Sequence, residues 1–316
     1  MKTILAMVYP GDDWNQVIPI SDLKYRSAYE LFYELARERG LSIIRSSVQW
    51  YDGKRFTKGW SYHDGQWKRV GPYMPNIIEN KCAFGYTLPS RLVLNRLEQL
   101  FTVVNRFRAE ILMNDKYLTT LLFQKFFPKT FFVRTTSEMV AALDKISGTF
   151  AVIKPVVGTG GQDVWILPKA AARKQRIVRP SLVQVFKDTA SGVPGVSRGV
   201  HDLRIHFLNT KPFYAYIRQP ESGKLVANIA QGGTMTMMSL RKLPATLRPI
   251  FQQVQNVFQG FNPTFFSVDV MFDRRKQPFI VEMNSKPGVY FPPEARSEQI
   301  RIFRQLADFY LQEAHR

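Results

Sequence analysis

The stretch Thr264–Gly288, TFFSVDVMFDRRKQPFIVEMNSKPG, reads as two strands joined by a tight polar turn. Phe265–Phe272 and Phe279–Met283 are rich in β-branched and aromatic residues, and Asp273–Gln277 separates them. With the turn centred between Arg275 and Lys276, side-chain alternation sets Asp269 directly across from Glu282 on one face. Asn284, two residues further on, shares that face. Two carboxylates placed opposite one another repel and destabilise a hairpin, so the pattern needs something to compensate it. A hard divalent cation held by oxygen ligands does so, and magnesium takes one or two carboxylates together with nucleotide phosphate oxygens. A solvated hairpin face with unrelated acids is the alternative that this stretch alone leaves open.

A second informative stretch is Phe150–Leu167, FAVIKPVVGTGGQDVWIL. A strand ending at Lys154 runs into a Gly158-Thr159-Gly160-Gly161 loop, and a second strand, Asp163–Leu167, follows. Glycines let backbone N–H groups close on phosphate oxygens without side-chain obstruction. The loop joins strand to strand, whereas a Walker loop precedes a helix and ends in Gly-Lys-Ser/Thr. Residues 155–163 offer few side chains to pack, which predicts a lid that orders when nucleotide binds. Ser181–Phe186 is another apolar strand. His201–Leu208 and Lys211–Arg218 form a strand pair across Asn209-Thr210, with Asp202 and Arg204 on one face. Arg218 ends the second strand, and Asn228 opens a short segment running to Gly233.

Ahead of these features, Lys2–Tyr9 reads as a buried strand rather than a signal peptide, because Pro10 and acids follow at once. Tyr25–Arg39 carries apolar residues at 28, 31, 32, 35 and 36, an amphipathic helix that ends at Gly40. Leu41–Trp50 is a second strand, completing a β-α-β opening. Residues 51–71 hold two Asp-Gly turn signals flanked by aromatics and read as hairpins. Their interleaved Tyr, Trp and Lys/Arg either stack bases or decorate a sheet. Residues 91–127 look mainly helical, with a break near Asn114. There is no GxGxxG after the first strand, no G-x-S-x-G elbow, no base partner for Cys82, and no metal-ligand spacing among the four histidines.

At 316 residues the chain can bury a large core in two or three lobes. No run of 18 apolar residues occurs, so no membrane helix is expected. The single cysteine excludes an internal disulfide and fits a reducing, cytoplasmic setting. Net charge is +19, and it is unevenly spread. Residues 1–105 hold 14 Lys and Arg against 10 Asp and Glu, while residues 106–316 hold 30 against 15. Such a field favours polyanions, whether nucleotides, acidic peptides, phosphorylated metabolites or nucleic acid.

Taken in order, these pieces resemble the ATP-grasp superfamily, most closely its glutathione synthetase and ribosomal-protein glutamate ligase branch. The resemblance runs from about Asn114 to Gly288. It is carried by Asn114-Asp-Lys116, Lys154-Pro-x-x-Gly-x-Gly-Gly161, Val183–Phe186, Asp202-Leu-Arg204, Arg218, Asn228, Asp269 and Glu282-x-Asn284-x-x-Pro-Gly288. It implies an α/β (α+β) ATP-grasp fold: a β-α-β pre-grasp lobe over 1–105 and an ATP-grasp domain over 106–316. Within the latter, a lid subdomain spans about 114–186 and a magnesium-binding lobe about 187–316. It implies that Lys116 and Lys154 neutralise ATP phosphates beneath Gly160 and Gly161, and that Gln184, Val185 and Phe186 offer backbone groups to adenine. Asp269, Glu282 and Asn284 would hold Mg2+, or Mn2+ in its place. Arg204 and Arg218, with Lys154, would serve the transferred phosphoryl group and acyl phosphate. The ribose contact falls to Asp202 or to Asp188.

The reaction implied joins a carboxylate to an amine, each an amino acid or acidic peptide, through an acyl phosphate. An ATP-grasp kinase of small anions and a nucleotide-binding module without catalysis are the alternatives. Neither a membrane nor nucleic acid is an expected partner, and a homo-oligomer is left open. Two positions depart from the family pattern. Lys187 follows Phe186 where a glutamate is common. Lys286 stands where relatives carry a small residue, which, with Asn228, marks a substrate contact and suggests a substrate with at least two negative charges.

Overall fold

The computed structural model describes residues 2–82, 87–158, 163–221 and 233–316. They fall into two compact units: residues 1–110 with 261–265 and 286–316, and residues 111–260 with 266–285. Gly160, Gly161 and Asn228 lie outside the described residues.

The first unit opens with β1 (Thr3–Tyr9), α1 (Leu23–Glu38) and β2 (Leu41–Ser47), the expected β-α-β. Asp22 caps α1 by accepting from the Tyr25 N–H, and Gly40 at φ +88° stops it in the left-handed conformation that a Cβ disfavours. The second strand ends earlier than its apolar run suggests, turning into a short 3-10 segment at Val48–Trp50. A hairpin of β3 (Gly59–His63) and β4 (Gln66–Val70) follows, closed by Asp64-Gly65 with φ positive at both residues. After β5 (Ile77–Asn80) and α2 (Leu88–Leu100) comes β6 (Thr102–Val104), a strand inside a stretch that reads as helical. Its three residues are too few to carry a period of their own. The sheet order is β4-β3-β2-β1-β5-β6, with β2, β1, β5 and β6 parallel. The aromatic and cationic side chains of the 51–71 stretch pack on one another and on Trp14 and Trp50. Trp50 and Trp60 are buried, and Lys58 and Arg69 stack on Trp14, Trp50 and Trp60.

Helices α3 (Phe107–Asn114) and α4 (Lys116–Leu122) meet at the predicted break, where Asp115 caps α4 through the Tyr117 and Leu118 N–H groups. A four-stranded antiparallel sheet comes next. Its strands β7 (Thr130–Val133), β8 (Phe150–Pro155), β9 (Trp165–Pro168) and β10 (Ser181–Val185) lie in the order β7-β10-β8-β9. Helices α5 (Thr136–Lys145) and α6 (Lys169–Ala172) accompany it, and Met139 and Leu143 of α5 pack on Ala151, Ile153 and Val183.

The second sheet of this unit runs β13-β12-β11-β14-β15. It comprises β11 (Asp202–Leu208), β12 (Lys211–Gln219), β13 (Thr234–Met238), β14 (Phe265–Phe272) and β15 (Pro278–Asn284), with α7 (Arg248–Phe258) between β13 and β14 in the chain. Alternation gives it two unlike faces. Phe266 stacks on Phe207 at 5.2 Å and meets Phe258 of α7 at 5.3 Å, an apolar face covered by the helix. Odd-numbered Asp269 stands on the opposite side. Burying side chains such as Phe258 and Phe266 contributes about 1.5–3 kcal/mol each.

Last comes α8 (Arg296–Ala314), which packs within the first unit on α1, with Phe303 against Phe32 at 5.1 Å and Arg39 paired to Asp308 at 2.8 Å. Its apolar stripe of Ile302, Phe303, Leu306 and Tyr310 is buried there. Residues 286–316 therefore group with the N-terminal lobe, unlike the single 106–316 domain read from the chain order.

Candidate active site

The hairpin β14–β15 sets Asp269 opposite Glu282, as alternation requires, although by a different route. Phe272 pairs with Pro278, so the turn centres on Arg275, and a bulge between Asp269 and Val270 admits Val281 as an extra residue. Without it, Glu282 would face the apolar side. The bulge also frees the Val281 carbonyl, which accepts a 2.8 Å hydrogen bond from Lys154 Nζ. Asn284 Nδ2 reaches Glu282 Oε1 at 3.3 Å.

Neighbouring β11 brings Arg204 alongside. Its guanidinium grips Asp269 in a fork, Nε to Oδ1 and Nη2 to Oδ2, both at 2.6 Å. Arg218, directly across from Asp202 in the β11–β12 register, donates to Asp269 Oδ2 at 2.7 Å and to Asp202. Arg204 Nη2 and Lys116 Nζ each stand 3.8 Å from a Glu282 oxygen. Lys116, the first residue of α4, is tied by Nζ to the Gly158 carbonyl at 2.7 Å. The structure thus brings together Lys116, Lys154, Asp202, Arg204, Arg218, Asp269, Glu282 and Asn284.

The charges are concentrated out of water, and their proton affinities reflect it. Burial, reinforced by the charge of Lys116, pushes the Lys154 ammonium down to about 8, with Glu282 pulling the other way. Burial favours protonation of Asp269, but Arg204 and Arg218 outweigh it and hold its carboxyl below the ordinary range. Asp202 moves upward, through burial and then the neighbouring Asp269 charge, against the pull of Arg218. Two acids sharing one guanidinium are driven apart.

Magnesium fits this donor set. Asp269, Glu282 and Asn284 supply hard oxygen donors on one face. A carboxylate offers about four lone-pair positions, of which the three arginine contacts on Asp269 leave one. Glu282 is approached only at the longer distances above. Among the described residues no group of three or more His, Cys, Asp or Glu forms a closed metal cage.

Elsewhere the expected residues divide. Gln184 is buried and its amide donates to Thr130 Oγ1 at 2.7 Å. The Val185 N–H is taken by the Lys129 carbonyl at 3.0 Å. Strand β10 ends there, so Phe186 and Lys187 are the first residues beyond the ladder. Asp202 belongs to the arginine cluster, whereas Asp188 pairs with Arg274 at 2.7 Å. Lys286 Nζ lies 2.8 Å from buried Glu110, so the anion sought for it in a substrate stands in the chain itself. Two site groups that the sequence left unmarked are the carbonyls of Gly158 and Val281, which no side-chain pattern announces. A third is Tyr216, whose position across from Arg204 in β12 follows from the hairpin register.

No curated protein matches the chain in sequence. Solved structures do match in fold. The ATP-grasp ligase PsnB complexed with minimal precursor, Mg and ADP superposes with a TM-score of 0.62 at 13% identity, over 98% of this chain and 97% of that one. A Chryseobacterium gregarium RiPP-associated ATP-grasp ligase, in complex with ADP and a leader and core peptide, gives 0.65 at 13% identity, over 98% and 97%. D-alanine–D-alanine ligase from Bacillus anthracis, complexed with ATP, gives 0.60 at 11% identity, over 99% and 97%. At such identities the likeness is one of fold. The family model for the ATP-grasp domain of prokaryotic glutathione synthetase matches residues 115–277, which include every cation of the cluster and Asp269. With that match spanning half of the sequence, the chain belongs to the glutathione synthetase family of ATP-grasp proteins.

Proposed function

We propose that the protein is an ATP-dependent carboxylate–amine ligase whose substrates are amino acids or acidic peptides. The observation that carries this reading is the convergence of Lys116, Lys154, Arg204 and Arg218 on the face that holds Asp269, Glu282 and Asn284. Lys116 and Lys154 would bind the ATP phosphates, with Gly160 and Gly161 covering them. Asp269, Glu282 and Asn284 would hold magnesium, which when bound offsets phosphate charge. Arg204 and Arg218 would receive the γ-phosphoryl group as it moves to a substrate carboxylate oxygen and ADP leaves. The amine nitrogen then attacks the acyl carbon, and phosphate departs with the C–O bond electrons. Asp202 would keep Arg218 aimed, since the two pair directly. Asn228, which lies outside the described residues, is proposed as a substrate contact.

Pre-ordered cations favour charge as it develops, because they need not reorganise during reaction. Binding both reactants in one site supplies proximity. The matched structures support the same reading: they are ligases, one in complex with a leader and core peptide, one a D-alanine–D-alanine ligase, and one complexed with Mg and ADP. The test is ADP release from ATP and Mg2+ across a panel of amino acids and acidic peptides, with product mass measured. An amide product that needs both carboxylate and amine is expected. ADP release without any amine, accompanied by a stable phosphorylated product, would replace the ligase with a kinase.

A further inference from the structure

Lys286 stands two residues beyond Asn284, in the segment by which the chain leaves β15. Its ammonium is 2.8 Å from Glu110 Oε1, and the two side chains are 19% and 2% exposed. One residue earlier, Ser285 is held as firmly. Asn114 Nδ2 donates to Ser285 Oγ at 2.8 Å, and the Ser285 N–H donates to Asn114 Oδ1 at 3.3 Å. Glu110 and Asn114 are four residues apart on α3, hence on one face of that helix. Consecutive residues of the strand exit are therefore gripped by consecutive turns of one helix.

That helix leads directly to the other half of the site. It ends at Asn114; Asp115 caps α4, and Lys116 opens it. Lys116 Nζ stands 3.8 Å from Glu282 Oε2. The ties form a closed circuit, from Lys116 through Glu282 and β15 to Ser285 and Lys286, and back along α3. We propose that Lys286 is a positioning residue for the nucleotide and metal site: its pair with Glu110 fixes the exit of β15 on α3 and so sets Glu282 and Asn284 against Lys116. A small residue at 286 cannot do this, because it leaves the Glu110 carboxylate without that cation. A lysine pointing to solvent would not be mostly buried against a carboxylate. The inference rests on the proposed nucleotide and metal reading of the site, but not on which carboxylate or amine is joined.

The test uses the full chain and ADP, with and without Mg2+, by calorimetry. The double variant Glu110→Leu/Lys286→Met replaces the ion pair by apolar groups of similar volume and leaves neither charge of the pair behind. The gain in ADP affinity that Mg2+ confers should fall about tenfold, as for residues that orient metal ligands, while metal-free ADP binding stays unchanged. Lys286→Arg, which keeps the pair, should keep the magnesium gain. A folded double variant with the full magnesium gain overturns the proposal, and so does an equal loss of affinity with and without metal. Should that variant not fold, Glu110→Gln/Lys286→Gln takes its place, and the same two outcomes overturn the proposal. Magnesium-dependent ADP binding without ligation of any substrate would sink the ligase reading and leave this one standing.

Discussion

Lys154 is the side chain in the site whose ordinary chemistry folding alters most usefully. Its ammonium is pushed down to about 8 by burial and by Lys116, so the charge it offers a phosphate is present below that pH and lost above it. Affinity for metal-free ADP should therefore decline above pH 8, by up to about tenfold per pH unit for one linked proton. Lys154→Arg, with its higher intrinsic pKa, should flatten the decline; a flat wild-type profile would remove Lys154 from phosphate binding. Glu282→Gln is expected to abolish ATP turnover and leave the circular dichroism and melting of the protein unchanged, because Glu282 is partly exposed and makes only long ion pairs. Turnover at the wild-type rate would refute the metal assignment. Side-chain alternation made Asp269, Glu282 and Asn284 legible as one set, whereas Lys116, Arg204 and Arg218 were marked by the resemblance to the ATP-grasp superfamily. Lys286 was misleading for a physical reason: its partner, Glu110, lies in another part of the chain, and no local pattern announces a buried ion pair.

Among the elements, the β14–β15 hairpin teaches the most. A regular hairpin centred between Arg275 and Lys276 gives the Asp269–Glu282 pair, and the molecule reaches that pair with a shifted turn and a bulge at Val281. Alternation about an assumed turn centre made the pairing legible, and the register holds because a one-residue slip would move Phe266, Val268 and Val270 off the apolar face. The bulge itself was not, because an extra residue leaves no mark on alternation until the turn is known. Just outside β11, His201 shows how a loop is pinned to this hairpin: its Nε2 accepts from the Phe272 N–H at 3.0 Å, and Nδ1 meets the Gly199 carbonyl at 3.2 Å. Burial lowers its folded-state pKa below 6.5, more than the carbonyls of Gly199 and Thr189 raise it. The stability this neutral imidazole contributes is whole above the unfolded value and is lost as pH falls, because only the unfolded chain then takes up the proton. Melting temperature should drop between pH 7 and pH 5, by about 2–4 °C for each kcal/mol lost. His201→Gln, which keeps an acceptor but cannot titrate, should reduce that slope, and an unaltered slope would acquit His201.

At the scale of the molecule, charge is the property that the fold leaves unspent. Residues 106–316 carry 30 Lys and Arg against 15 Asp and Glu, and the pairs within the site account for few of them. Chain order, which made the ATP-grasp pieces recognisable, could not assign residues 286–316 to the N-terminal unit. Helix α8 reaches that unit through long-range packing on α1 rather than through sequence proximity. Nucleotide phosphates neutralise a few cations at one place, whereas a surplus spread over a surface acts at a distance and attracts any polyanion. Salt separates the two contributions. Between low and physiological ionic strength the screening length shrinks from about 30 Å at 0.01 M to about 8 Å at 0.15 M. Contacts inside the site survive this change, and long-range attraction does not. If the substrate carries at least two negative charges, its apparent KM should rise severalfold across that range, while the KM of an uncharged analogue of equal size stays put. Equal salt response for charged and uncharged substrates would mean that the basic surface takes no part in recognition and that selectivity is set by contact alone.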